Sequence, residues 1–357
     1  MSKAVSTIPL LFALALAAVA GGCGGSSSGK STGESGLVSI GAGLKGPAGL
    51  EATVYARGIP QLSAFAFDAS GRLWVTRSGA STHGSDGVYV VAKRGATPVK
   101  VIPAKSLRGP LGLVWVGKTL YVSSLGHVTA FAGLTGHRFT REKTILAGPV
   151  RGGENNNLVR APDGRLLMGI SSTCDHCTPK SKWAAAIVSF RPDGSDLQLY
   201  ARRIRAAYGL AFYPGTSSLF ASVNQRDDLG ARTPGDWLVF VKQGENWGFP
   251  ACYGQGGAAC KGVPSPVGVL DTHAAAGGVA ILTSQLRGRY RSSALVAEWV
   301  HGKVRRVALR RTSTGYRGSV STFLTGLQNP LPVVAAPDGS MLVGDWGRGI
   351  IYRISAP

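Results

Sequence analysis

Residues 152–157 read Gly-Gly-Glu-Asn-Asn-Asn, a carboxylate and three amides in succession, shortly before the apolar Leu166-Leu167-Met168. Such a run can be buried only if every amide finds a partner. Glu154, Asn155 and Asn156 suit the hydroxyls of a small ligand, or they cap their own backbone. A second group is Asp227-Asp228, with Asp236 farther along. Neighbouring carboxylates of this kind hold a cation or cap a turn. His273 stands in Asp-Thr-His-Ala-Ala-Ala at 271–276.

Cysteine offers a different chemistry. After Cys23 come Cys174, Cys177, Cys252 and Cys260, and four cysteines allow three pairings. Their closeness in sequence favours Cys174–Cys177 and Cys252–Cys260, each closing a short loop in an oxidising compartment. A four-thiolate zinc site is the rival, although it would normally show two Cys-x-x-Cys pairs. A redox-active Cys174-Asp175-His176-Cys177 would need a βαβ context that the sequence lacks.

The first residues read as an export signal. Lys3 supplies a positive start, and 8–20 is an apolar stretch too short to span a bilayer. Ala20-Gly21-Gly22-Cys23 resembles a bacterial lipobox. The expectation is a signal peptide over 1–22, lipid on Cys23, a Gly/Ser-rich tether over 23–44 and a folded domain over 45–357. This places a monomeric domain outside the cytoplasm in a bacterial cell envelope, held to a membrane by lipid. The alternative is a plain secretory signal with an incidental cysteine.

The formal net charge is +21. Arginine is spread along the chain, and the densest tract, 305–311, is interleaved with apolar residues like a strand with one solvated face. An exported, tethered domain with this pattern is not read as a nucleic-acid binder. Anionic lipid or an acidic envelope polysaccharide is the better electrostatic partner, against the alternative of a charge with no function.

No long segment has a 3.6-residue apolar period; short β-branched and aromatic runs alternate with Gly, Pro, Asp and Asn. One pattern, strand–turn–strand, recurs over 64–79, 111–126, 157–172, 209–224, 278–299 and 332–347. Its equivalent apolar positions are Leu73, Leu120, Leu166, Leu219, Leu295 and Met341, spaced by 47, 46, 53, 76 and 46 residues. A period near 46 with several strands per unit predicts an all-β, six-bladed propeller of four-stranded antiparallel blades. Residues just before each inner strand then face the mouth of the central channel. These are 152–157, 204–208, 271–276 and 327–332, and the two longer intervals are insertions into loops.

Several stretches carry a resemblance. They are "YGLAFYPGTSSLFASVNQRDDLG" (208–230), "GENWGFPACYG" (244–254), "SSTCDHC" (171–177), "HAAAGGVAIL" (273–282) and "APDGSMLVGDWGRGIIYRI" (336–354). Over roughly residues 50 to 356 the chain resembles the soluble glucose/sorbosone dehydrogenases. The resemblance implies a six-bladed propeller that oxidises an aldose or aldehyde with pyrroloquinoline quinone (PQQ) and Ca²⁺. The quinone would lie over the channel mouth, held by arginines and a lysine, with a histidine as general base.

Carried onto this chain, the cofactor-binding positions are Arg205 and Tyr208 in Arg-Ala-Ala-Tyr-Gly-Leu, His273, His301 and Asn329. Asn329 and Tyr208 stand where the family has arginine and glutamine. Trp237 replaces an acidic residue near the calcium, beside a retained Asp236, with Asp227 and Asp228 as further metal candidates. The family's histidine falls on Gly153. Glu154 is then the substitute base, provided burial raises its pKa.

Three readings follow. One is a PQQ- and Ca²⁺-dependent sugar or aldehyde dehydrogenase with a remodelled site. Another is a non-catalytic propeller that binds a saccharide or envelope partner, with Tyr208 and Trp237 stacking on a sugar and Asn155 and Asn156 meeting its hydroxyls. A calcium-dependent propeller hydrolase such as a lactonase, built on Glu154, Asn155 and Asp236, is the third.

Overall fold

The computed structural model describes residues 36–79, 86–148 and 153–357. The expected signal peptide, Cys23 and most of the expected tether lie outside them. Residues Leu37–Gly41, read above as the end of the tether, form a hairpin with Leu44–Pro47. Ordered structure therefore begins before residue 45.

The local cause of each blade is legible in its turns. Asp68 accepts the backbone N–H of Ser70 and Arg72, Asp163 that of Arg165, and Asp338 that of Ser340. In each turn a glycine takes positive φ, at Gly71, Gly164 and Gly339. The carboxylate imitates a backbone acceptor and glycine tolerates the left-handed residue, so the chain reverses in a few residues. The flanking β-branched and aromatic runs then pair as antiparallel strands.

Six four-stranded antiparallel sheets result. The inner strands are Leu62–Phe67, Gly112–Val116, Asn155–Arg160, Ala207–Phe212, Ala276–Leu282 and Pro330–Ala335. Each touches the next and the sixth touches the first, so they ring a central channel. Blade six is completed by Glu51–Arg57, which pairs with Ile350–Ser355. Joining the beginning of the ordered chain to its end closes the ring and removes two sheet edges. The expectation of a six-bladed propeller holds.

The core is divided among the interfaces between neighbouring blades. Trp74, Val90, Leu113 and Phe131 fill one, and Phe220, Leu238, Val279 and Val296 fill another. Polar bonds near the channel tie the same neighbours. Ser63 Oγ donates to the Pro110 carbonyl, Ser123 Oγ to that of Asn156, and Ser222 Oγ to that of Gly277.

Strand order divides the loops between two faces. Segments that enter an inner strand, and those joining second to third strands, lie on one face, called here the mouth face. Turns joining inner to second strands lie on the opposite face. The longest insertion, 242–267, starts on the opposite face and climbs the outer strand of blade three. It is held there by Gly244 N–H to the Tyr200 carbonyl, Trp247 N–H to that of Arg202 and Phe249 N–H to that of Arg203. Trp247 is 1% exposed and packs with Trp237 and Val239. Replacing Trp247 by Ala is expected to destabilise the domain by about 3–5 kcal/mol, by lost burial and an unfilled cavity. Urea unfolding checks this, and a cost below about 1 kcal/mol would mean that the insertion is not part of the core.

Candidate functional site

The mouth face gathers most of the candidates. Glu154, Arg205, His273 and Asn329 stand at or beside the starts of inner strands, while Asp227, Asp228 and His301 sit between second and third strands. The Cys174–Cys177 disulfide lies in the corresponding segment of blade three, and Cys252–Cys260 closes the end of the long insertion. Both pairings are those the spacing favours.

At the junction of blades three and four these residues form one charged network. Arg205 donates from Nη2 to the Asp175 carboxylate at 2.6 Å, from Nε to the Asp175 carbonyl at 2.8 Å and from Nη1 to the Asn224 carbonyl at 3.1 Å. The Asp175 carboxylate also accepts the backbone N–H of Asp227 and Asp228. Arg226 forks onto Asp228 with two bonds of 2.6 Å and stacks over Tyr253. Hydrogen bonds from Arg226 push the exposed Asp228 well below the ordinary carboxylate range. His176 lies 3.0 Å from Asp228, and His273 lies 2.9 Å from Asp227.

Asp175, His176 and Asp228 are the one set of three potential metal ligands that converges among the described residues, within 4.8 Å. Arg205 and Arg226 already neutralise its carboxylates. The set is therefore complete as an ion-pair network without a cation. Asp236, expected as a metal candidate, is turned elsewhere. It accepts the Gln225 N–H at 2.8 Å and the Ala276 N–H at 3.0 Å, stapling blade four to blade five. Asp86 makes the matching pair of bonds to Gly79 and Gly109, between blades one and two.

Several expected roles meet a different geometry. Asn155 and Asn156 are buried, and their amides are taken up by protein partners. Asn155 Nδ2 donates to the carbonyl of Ser124, and Asn156 Nδ2 to Ser171 Oγ and the Ala207 carbonyl. They link blade three to blades two and four rather than receiving a substrate. Trp237 is 5% exposed, with its ring against Trp247, so it presents no stacking face.

Tyr208 is also buried, and its hydroxyl crosses the channel to donate to the Ser63 carbonyl at 3.4 Å. Burial, and then the nearby Glu154, push its phenol far above the ordinary range. The cavity beside it, about 20 Å³, is lined by Ser63, Leu111, Asn157, Gly278 and Pro332 with Tyr208. That holds about one water, so Tyr208 plugs the channel beneath the mouth. Asn157 turns its Oδ1 back to the Leu158 N–H.

Gly153, where the family's histidine falls, stands against the next strand. A Cβ there would collide with the Ser171 carbonyl oxygen. The base position therefore accepts no side chain with this backbone. Glu154, next along, has its carboxyl raised by burial, an effect that the Arg205 charge partly opposes.

Sequence reasoning named Asp175 and His176 only within the Cys174–Cys177 redox motif and gave them no role at the mouth. It also missed Trp299 and Trp346, half-buried rings packed edge-to-face at 5.5 Å on the mouth face of blades five and six. Asn329 joins their segments, donating from Nδ2 to the Trp299 carbonyl and accepting the Trp346 N–H at its own carbonyl. His301 Nε2 is 2.8 Å from the Thr272 carbonyl. The signal was present: Glu298-Trp299 and Asp345-Trp346 occupy equivalent positions in consecutive repeats.

A tricarboxylate quinone needs cations free to meet it. Arg205 is committed to Asp175 and two carbonyls, and Asn329, at a family arginine position, carries no charge. The residues at the positions the resemblance marks do not fit PQQ in this arrangement, and the carboxylates that converge beside them, Asp175 and Asp228, are each paired with an arginine.

No family model matches the chain, and no curated protein matches it in sequence. Solved structures match in fold. The PQQ-bound aldose sugar dehydrogenase of Streptomyces coelicolor aligns with a TM-score of 0.68 and 19% identity, over 87% of this chain and 100% of that one. The soluble aldose sugar dehydrogenase of Escherichia coli, in its apo form, gives 0.66 and 16%, over 86% and 100%. A carbohydrate-active enzyme of family AA12 from Trichoderma reesei gives 0.71 and 16%, over 93% and 100%. The six-bladed propeller of soluble sugar dehydrogenases is thus the architecture of this chain; at these identities the likeness is one of fold.

Burial raises the carboxyls of Asp236 and Glu298 to about 7 each. Each binds its proton more tightly in the folded than in the unfolded chain. The stability they contribute is present below the unfolded value and lost as pH rises through about 7. The urea midpoint is expected to be lower at pH 8 than at pH 5, and Asp236→Asn should shrink that difference. A midpoint that rises over this interval would contradict the assignment.

Proposed function

We propose that this propeller recognises a small polyhydroxylated ligand, a sugar or sugar derivative, at its mouth face without carrying out quinone-dependent oxidation. The observation that carries this reading is the closure of Arg205 onto Asp175 at 2.6 Å, which engages the inherited cofactor clamp within the protein. Gly153 and the Tyr208 plug support it, since the base position is blocked and the channel sealed. The edge-to-face Trp299–Trp346 pair supports sugar recognition, because aromatic faces stack on the apolar faces of pyranoses while nearby amides and imidazoles meet hydroxyls. The composition of residues 1–44 supports export and lipidation at Cys23, with the propeller outside the cytoplasm.

A second reading is a PQQ- and Ca²⁺-dependent dehydrogenase with Glu154 as base. The raised carboxyl of Glu154 favours it, as does the company of solved sugar dehydrogenases. It requires Arg205 to leave Asp175.

Two measurements separate the readings. Calorimetric titration with neutral and acidic sugars should detect binding that Trp346→Ala weakens by about tenfold, the value of one aromatic contact. Addition of PQQ and Ca²⁺ to the same protein should give neither protein-bound quinone absorbance nor dye reduction with aldoses. Turnover, abolished in Glu154→Gln, would overturn the first reading in favour of the second.

A further inference from the structure

The face opposite the mouth is electrostatically uneven. In blades one, three and six the turn from inner to second strand is built on a carboxylate, Asp68, Asp163 or Asp338. Three arginines there are paired with carboxylates: Arg72 with Asp68, Arg165 with Asp196, Arg353 with Asp338. Blade five departs from this pattern. Its turn reads Ser284-Gln285-Leu286-Arg287-Gly288-Arg289-Tyr290-Arg291, with three arginines and no carboxylate.

The strands Lys303–Arg311 and Tyr316–Leu324 meet on the same face and add Arg310, Arg311 and Arg317. All six arginines are exposed, and none forms an ion pair among the described residues. Lys303 and Arg305 do pair, with Asp271 and Glu298, but Lys303 begins its strand at the mouth end. Arg310 and Arg317 are direct cross-strand partners. Like charges facing each other across a sheet are unfavourable unless an anion lies between them.

The N-terminal segment arrives at the same place. Leu37 pairs with Pro47, and Arg289 Nη1 donates to the Ala48 carbonyl at 2.6 Å. Residues 1–35, with the apolar stretch 8–20 and Cys23, therefore join the domain beside the arginines. An apolar or lipidated segment brings a bilayer to the point where it leaves the fold, whereas an acidic polymer has no reason to prefer that point.

We infer that this edge of blade five is a docking surface for anionic lipid headgroups, which hold the propeller on the bilayer with its mouth turned away. The six arginines supply the attraction, and phosphate groups relieve the repulsion between Arg310 and Arg317. The inference is independent of what the mouth binds.

The test uses residues 24–357, so that neither the apolar stretch 8–20 nor lipid on Cys23 contributes, and cosedimentation with phosphatidylcholine vesicles with or without phosphatidylglycerol. Binding should require the anionic lipid and fall as NaCl rises from about 0.1 to about 0.5 M, as the screening length shrinks. Each surface arginine changes partitioning about fivefold, so Arg287→Gln/Arg310→Gln/Arg317→Gln should weaken it about a hundredfold. The same charge removed from the outer strand of blade two, by Arg138→Gln/Arg141→Gln/Lys143→Gln, should change it far less. Equal losses in the two variants would show that net charge, not this patch, is responsible and would overturn the inference. So would salt-independent binding, equal binding to neutral vesicles, or retention on an acidic polysaccharide with none on vesicles.

Discussion

The mouth of this propeller is organised by one ion pair. Arg205 leaves the start of blade four and closes on Asp175, inside the four-residue loop sealed by Cys174–Cys177. Asp175 in turn fixes the backbone of Asp227 and Asp228, which positions Asp228 for Arg226 and His176, and Asp227 for His273. The side chains of Arg205 and Asp175 are 14% and 33% exposed, so the pair is screened less than a surface bridge and strengthened by charge-assisted bonds. Without it, the arginine would be an unpaired cation at the channel mouth, and the disulfide loop would lose its inner anchor.

Below that rim the channel is shut. Tyr208 spans from blade four to blade one, and the amides of Asn155 and Asn156 serve the walls. At the rim itself, blades five and six carry an aromatic pair set among histidine and asparagine. The fold is that of the solved sugar dehydrogenases, while Arg205 and Asn329 are engaged within the protein. In such a propeller blade packing fixes the architecture, and a few loop residues fix the site.

Much of the architecture was legible. The spacing of Leu73, Leu120, Leu166, Leu219, Leu295 and Met341 gave the blades because each begins or nearly begins a second strand. Cysteine spacing favoured both disulfides. The direction of side chains at the mouth was not legible, for a physical reason. In five of the six blades the register shifts within the first residues of the inner strand, as between Asn155 and Leu158 or between Ala207 and Leu210. A bulge resets the alternation that a sequence argument relies on, so Asn155 and Asn156 turned to neighbouring blades, while Tyr208 reached across the channel below the rim. Trp237 was misread because its cover is Trp247, ten residues on, in an insertion whose path no period predicts. The sixth blade's outer strand came from the beginning of the chain, beyond what a repeat count reveals.

The central claim is that the charge of Arg205 is held by Asp175. A double-mutant cycle on Arg205→Ala and Asp175→Ala, read by urea unfolding at pH 7, measures that directly. The account predicts a coupling of about 1 kcal/mol or more, the range for contacting charged residues. A coupling near zero would show that Arg205 is free to meet an anionic cofactor, and would contradict it.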